Sequence, residues 1–125
     1  MIKLEVITEE NYVQVMNLEL KDSQKYFLST NERSLAEAYV YRNDGVSPFA
    51  VIDGEEIIGF IMFDLHDDDP ETYIIWRMMI DDHNQGKGYG KKLLEVAKQY
   101  TKNQGFKSLI ADYVQGNEAM KKNST

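Results

Sequence analysis

The stretch of this chain best equipped for chemistry is Gln85-Gly86-Lys87-Gly88-Tyr89-Gly90-Lys91. Glycines let a backbone pass close to a ligand, and the unpaired N–H groups of a helix's first turn act as anion donors. Before the loop, Thr72 to Asp81 is rich in Ile, Tyr and Trp and reads as a long strand. After it, Gly88 to Asn103 reads as a helix with Leu93, Leu94, Ala97 and Tyr100 on one face. Strand, glycine loop and helix together form a layout that suits a phosphate. A dinucleotide fingerprint does not fit, because its third glycine would fall on Lys91, and a Walker A loop does not fit, because Gly-Lys-Ser/Thr is missing. The remaining pattern, Q-x-x-G-x-G, is also what a purely structural turn could show.

A second group of charged residues, His66-Asp67-Asp68-Asp69-Pro70-Glu71, could draw in a metal or an ammonium group. It lacks the Gly and terminal Glu spacing of an EF-hand loop, and an acidic turn between strands accounts for it equally well. We assign no metal to the chain. Cysteine is absent, which removes disulfides, thiolate nucleophiles and Cys-ligated metals, and suits the cytoplasm. The formal charge of −7 repels nucleic-acid phosphates and attracts cations, although an acidic surface also serves solubility. Apolar runs such as Ile57 to Phe63 are strand-length and too short to span a bilayer, and Met1 to Glu5 shows no signal-peptide pattern. We therefore expect neither a nucleic-acid nor a membrane partner.

The elements that must carry these residues follow from periodicity and turn chemistry. Met1 to Ile7 alternates apolar and polar residues and predicts a first strand. Thr8 can cap a helix with Glu9 and Glu10 in its first turn and Tyr12, Val13, Met16 and Leu20 on one face. Ser34-Leu35-Ala36-Glu37 reads as a capping box opening a second helix through about Arg42, ended by Asn43-Asp44-Gly45. Pro48 to Ile52 and Ile57 to Leu65 flank Asp53-Gly54, a hairpin signal. Gly105 stops the helix after the glycine loop, Lys107 to Val114 is a further strand, and Asn117 starts a last helix. The order β-α-α-β-β-β-α-β-(α) predicts one mixed α/β domain over residues 1–125.

Ile80-Asp81 before the loop, Gly88-Tyr89-Gly90-Lys91-Lys92-Leu93-Leu94 through it, and Gly116-Asn117-Glu118-Ala119-Met120 after the next strand together resemble the GNAT acetyltransferases. Within that family, Gln24, Tyr26, Ser34-Leu35, Ala38, Pro48, Gly59-Phe60-Ile61-Met62 and Arg77 resemble bacterial spermine/spermidine (diamine) N-acetyltransferases. The resemblance implies a mixed, mostly antiparallel central sheet flanked by helices, and acetyl-CoA as co-substrate. It places the pyrophosphate on Gln85, Gly86, Lys87, Gly88, Tyr89, Gly90 and Lys91, and a further CoA contact at Asn117. The strand ending at Asp81 would carry a bulge and splay from the Lys107 to Val114 strand. Main-chain groups of Met78, Met79 and Ile80 would bind the pantetheine arm, and an N–H near Met79 would polarise the thioester. The same two methionines also read as core filler.

The implied reaction is transfer of acetyl to a primary amine of a small cationic substrate, a polyamine above all. Trp76 stands where a distant relative would place a glutamate, so the base is open among Asp64, Glu19 and Glu71, each equally at home on a solvated surface. Arg77 could orient a substrate or pair with a carboxylate. The tyrosine that commonly protonates the leaving thiolate falls on Ser124, a poor general acid. Two strands that normally close the sheet are expected to be missing after Val114, so the resemblance implies reduced turnover and an open edge bearing Leu109, Ile110, Tyr113 and Val114. That edge predicts a homodimer. Other readings of the same residues are an inactive acyl-CoA-binding remnant, an interaction module completed by another chain, or an acetyltransferase for a protein amine or an aminoglycoside.

Overall fold

The computed structural model describes residues 1–20 and 30–111. Five strands form one sheet in chain order: β1 (Ile2–Val6), β2 (Ser47–Asp53), β3 (Glu56–Leu65), β4 (Thr72–Ile80) and β5 (Ser108–Ala111). The first four pair antiparallel, and β5 runs parallel to β4. Parallel neighbours need a crossover, and helix α3 (Tyr89–Asn103) provides it. Two shorter helices, α1 (Tyr12–Met16) and α2 (Asn31–Val40), lie between β1 and β2. The mixed α/β order is the one read from the sequence, and the mostly antiparallel sheet is the one the family resemblance implies.

The sheet separates two cores. On one face, α3 packs Leu93 and Ala97 against Ile58, Ile61, Phe63, Tyr73 and Ile75. On the other, α1 and α2 supply Val15 and Ala38 against Ala50, Phe60, Met62 and Met79. β3 lies between both layers and is buried from Ile58 through Phe63, which explains its unbroken apolar run. Phe63 stacks on Tyr73 with centroids 4.9 Å apart, and Tyr73 stacks in turn on Phe106 at 4.4 Å.

Several predicted boundaries move, each for a local reason. The first helix does not start at Thr8. Glu10 N–H donates to the Thr8 hydroxyl and Thr8 N–H to Asn11 Oδ1, closing a turn that leaves Glu9 and Glu10 outside the helix. Asn11 then takes the N-cap position, and its amide donates to the Val6 carbonyl and to Glu5. The helix buries Val15, while Tyr12 and Val13 stay exposed and Leu20 lies past its end. The second helix starts three residues before the expected capping box. Thr30 accepts from Arg33 N–H as the N-cap, and Ser34 sits inside the helix, 1% exposed, donating back to the Thr30 carbonyl. Burial of Ser34 over the sheet selects this frame.

Asp53 pairs with Glu56, so the hairpin loop is Gly54-Glu55, one residue later than expected, with Gly54 at φ 65°. Gly105, at φ 91°, follows the end of α3 as predicted. Among the described residues β5 is one of the two outer strands, with β1 the other, and Leu109 and Ile110 on it are half-buried rather than fully open. Tyr113, Val114 and the helix expected from Asn117 lie outside the described residues, as do Gln24 and Tyr26.

Candidate active site

The expected bulge is present, and it lies in the middle of β4. Met62 pairs with Arg77 and Phe63 with Ile75, which leaves Trp76 as the extra residue. The bulge changes which face each side chain takes. Before it, Tyr73 and Ile75 point to the α3 core; after it, Met78 and Ile80 do so, while Met79 enters the other core. Trp76 and Arg77 thus share the α1/α2 face. Beside this segment, a Cβ at Gly59 would collide with the Met79 carbonyl, so glycine is what lets β3 approach β4 so closely there.

β4 ends in a set of backbone clasps. Asp81 N–H donates to the Ile58 carbonyl at 2.7 Å. Asp82 N–H donates to the Glu19 carbonyl at 2.7 Å, and Glu19 N–H donates to Asp81 Oδ1 at 2.8 Å. These bonds hold the chain after α1 against the exit of β4. A single 3-10 turn, Asp82–Asn84, follows, with Asn84 buried. Gln85 Nε2 then reaches back to the Ile80 carbonyl at 3.0 Å, a loop-closing bond that the motif alone does not reveal.

Gly86 and Gly88 have φ of 81° and 80°, the left-handed region that side-chain-bearing residues avoid. Gly90 does not. Among the described residues, a Cβ at any of the three would meet nothing within 4 Å, so their packing does not demand glycine. Gly88 is the N-cap of α3, without a side-chain cap and with no acidic residue in the first turn. Among the described residues, the leading N–H groups of this helix therefore face no side-chain acceptor. Lys87, Lys91 and Lys92 are their neighbours in sequence; Lys87 Nζ lies 3.4 Å from Asn84 Oδ1 and Lys92 Nζ 5.6 Å from the Tyr89 ring centroid. An uncapped helix N-terminus with lysines beside it in sequence has the chemistry to attract an anion, even on a chain of charge −7.

Tyr89, a predicted loop residue, is anchored away from the loop. Its hydroxyl donates to Asp53 Oδ2 at 2.6 Å, at the end of β2, and the Met1 ammonium lies 3.1 Å from the other Asp53 oxygen. The Tyr89 bond holds the Asp53 carboxyl below its ordinary value and pushes the Tyr89 hydroxyl up. Sequence reasoning missed Asp53, since its partner lies 36 residues away and no local spacing links them.

Arg77 resolves in favour of a carboxylate partner. Its guanidinium donates to Glu37 Oε1 at 2.5 Å and to Ser34 Oγ at 3.1 Å, and lies 4.7 Å over the Trp76 ring. Glu37 also meets Arg33 at 3.3 Å. Of the three carboxylates weighed as bases, only Glu19 reaches the loop end of β4. Asp64 pairs across from Ile74, about 20 Å back along the strand from Ile80. Its carboxyl is raised chiefly by burial, and it accepts from Leu65 N–H. Glu71 precedes β4 and binds Lys107 at 2.7 Å. The acidic loop is knit by its own bonds, with Asp69 accepting from Thr72 Oγ1 at 2.7 Å and from Glu71 N–H at 3.0 Å. Asn117 and Ser124 lie outside the described residues.

Comparison with known proteins places this geometry. The profile of the acetyltransferase (GNAT) family matches residues 12–122. A probable spermine N(1)-acetyltransferase of Bacillus subtilis subsp. natto (strain BEST195) is 27% identical over 107 residues, covering 79% of this chain and 67% of that protein. The spermine/spermidine N(1)-acetyltransferase of Bacillus subtilis (strain 168) is 26% identical over the same length, with the same coverage. Among solved structures, a GNAT family acetyltransferase of Staphylococcus aureus superposes with TM-score 0.68 at 19% identity, over 94% of this chain and 88% of that one. The aminoglycoside acetyltransferase AAC(6′)-Ib in complex with coenzyme A gives 0.66 at 18% identity, over 82% and 68%. The chain belongs to the GNAT family of N-acetyltransferases.

Proposed function

We propose that this protein binds acetyl-CoA at the Gln85–Lys91 loop and acetylates a primary amine of a small, multiply charged cation, with linear polyamines the preferred class. The observation that carries the reading is the uncapped N-terminus of α3, opened by Gly86 and Gly88 at positive φ and flanked by lysines. Acetyl-CoA, when bound, supplies the activated acetyl thioester. Main-chain N–H groups of Tyr89, Gly90 and Lys91 would bind its diphosphate. The β4 backbone at Met78, Met79 and Ile80, beyond the bulge, would orient the acyl arm by strand-like pairing. An amine has an ordinary pKa of about 10.4 and must lose a proton before it attacks. Glu19, whose backbone is clasped to the exit of β4, would be the carboxylate that draws in the ammonium group and passes its proton toward solvent.

The substrate class rests on two supports. The curated relatives are named for spermine and spermidine, and the chain's charge of −7 favours cations over neutral amines. Thiol release from acetyl-CoA, measured side by side with spermidine, putrescine, a lysine peptide and an aminoglycoside, tests the reading. Spermidine should exceed the lysine peptide by about tenfold or more in kcat/KM. A lysine peptide that outperforms spermidine by the same factor would overturn the substrate class.

A further inference from the structure

The bulge in β4 turns two consecutive side chains, Trp76 and Arg77, onto the α1/α2 face, and Met79 follows them on that face about 10 Å along the strand. The opposite face of β4 is closed by α3, whose Leu93 and Ala97 join the core containing Tyr73 and Ile75, with Met78 and Ile80 packed against it. An acyl group carried along the Met78–Ile80 backbone is thus shut off from the α3 side. The α1/α2 face is packed as well, with Met79 buried in its core, but Trp76 stays partly exposed there, so an amine reaching β4 from this side would meet its indole.

Trp76 is partly exposed and held from two sides. Arg77 lies over its ring, and Tyr41 meets it edge-on with centroids 6.1 Å apart and planes at 63°. Arg77 is itself immobilised: its side chain is only 12% exposed and binds both Glu37 and Ser34. Glu37 offsets the guanidinium charge, so the wall beside the approach does not repel a cation through Arg77. The result is a flat, partly exposed aromatic surface held in place on the α1/α2 face. Alkyl chains pack well against an indole, and ammonium groups are attracted to its face. A linear polyamine can lay its alkyl segments flat along such a wall, whereas a ring-bearing polycation cannot follow it over the same length.

We infer that Trp76 is a specificity-determining residue, and that its indole, fixed by Arg77 and Tyr41, admits slender aliphatic polyamines and obstructs bulky, ring-bearing ones such as aminoglycosides. This inference rests on the acetyl-transfer reading above. Trp76 is the chain's sole tryptophan, so its emission reports on this position without any turnover. In protein saturated with CoA, spermidine should change the emission saturably, beyond any change caused by CoA alone. In steady state, Trp76→Ala should raise the ratio of kcat/KM for an aminoglycoside over that for spermidine by about tenfold. Trp76→Phe, which keeps an aromatic wall and guards against a folding defect, should raise it by no more than about threefold. The KM for acetyl-CoA should stay within about twofold in both variants, a split that a purely structural residue would not give.

Emission that stays flat while spermidine is turned over normally would overturn the inference and leave the acetyl-transfer reading standing. So would an unchanged substrate ratio in both variants. A saturable emission response to spermidine in a protein that acetylates no amine would overturn the acetyl-transfer reading and support the position of Trp76 at the amine site.

Discussion

The two faces of β4 do different work. Toward α3 the strand carries aliphatic and aromatic side chains: Tyr73, Ile75, Met78 and Ile80 join the core of Leu93 and Ala97, and aromatic stacking extends the contact through Phe63 and Phe106. Toward α1 and α2 the same strand carries a guanidinium, bound to Glu37 and Ser34, and a methionine sulfur 3.7 Å from the Asn31 amide. One extra residue at Trp76 makes the difference, because it resets the alternation halfway along the strand. The apolar face sets where α3 starts and hence where its free N–H groups sit. The polar face is built from bonds between residues distant in sequence, and it can hold a specific side-chain arrangement only while each bond is made.

Breaking the apolar face should cost most. Phe63→Ala removes a fully buried ring stacked on Tyr73 and should destabilise the fold by about 3–5 kcal/mol in denaturant titrations. A loss below about 1 kcal/mol would mean that the stacked cluster contributes little. Glu37→Gln on the polar face should cost less, about 1–3 kcal/mol, because Arg77 keeps Ser34 but loses its charged partner while nearly buried. A neutral result there would make the network dispensable for folding. Tyr89→Phe cuts the tie between the glycine loop and Asp53; it should raise the KM for acetyl-CoA about threefold and leave the amine KM unmoved. Equal changes in both would place Tyr89 outside the loop's positioning.

The smallest effect concerns Asp64. Burial raises its carboxyl, so the folded chain holds that proton more tightly than the unfolded chain. The stability it contributes is present below the ordinary carboxylate range and is lost as pH climbs through the raised value. Asp64→Asn, which stays neutral and keeps an acceptor for Leu65 N–H, should therefore raise the melting temperature slightly at pH 7. The gain is small because the group is partly exposed, and it should vanish below about pH 4. A lower melting temperature at pH 7 would reverse the assigned direction.

Much of the apolar face was legible in the sequence. An apolar run beside a hairpin signal marked β3, β-branched and aromatic composition marked β4, and a period-3.6 stripe marked α3 after its glycine loop, because burial on a regular element leaves a trace in residue type and spacing. The polar face left no such trace. Ser34 resembled an N-cap and proved to be a buried bond partner of Arg77; Glu37 looked like the acid of a capping box and is instead an ion-pair partner across the sheet. Local motifs name bonds between near neighbours, whereas these bonds span 40 and more residues. The Tyr89–Asp53 tie was hidden for the same reason. The bulge was expected from family resemblance, but its position at Trp76 emerges only from the register of β3 against β4.

The central claim is that the start of α3 is the acetyl-CoA site. Calorimetric titration of acetyl-CoA into the native protein and into Gly88→Val tests it most directly. A β-branched residue at φ 80° strains the N-cap and fills the open space beside the N–H groups. With the helical far-UV spectrum retained, the account predicts saturable binding to the native protein and an affinity at least about tenfold weaker in the variant. Equal affinity in the two proteins would contradict it.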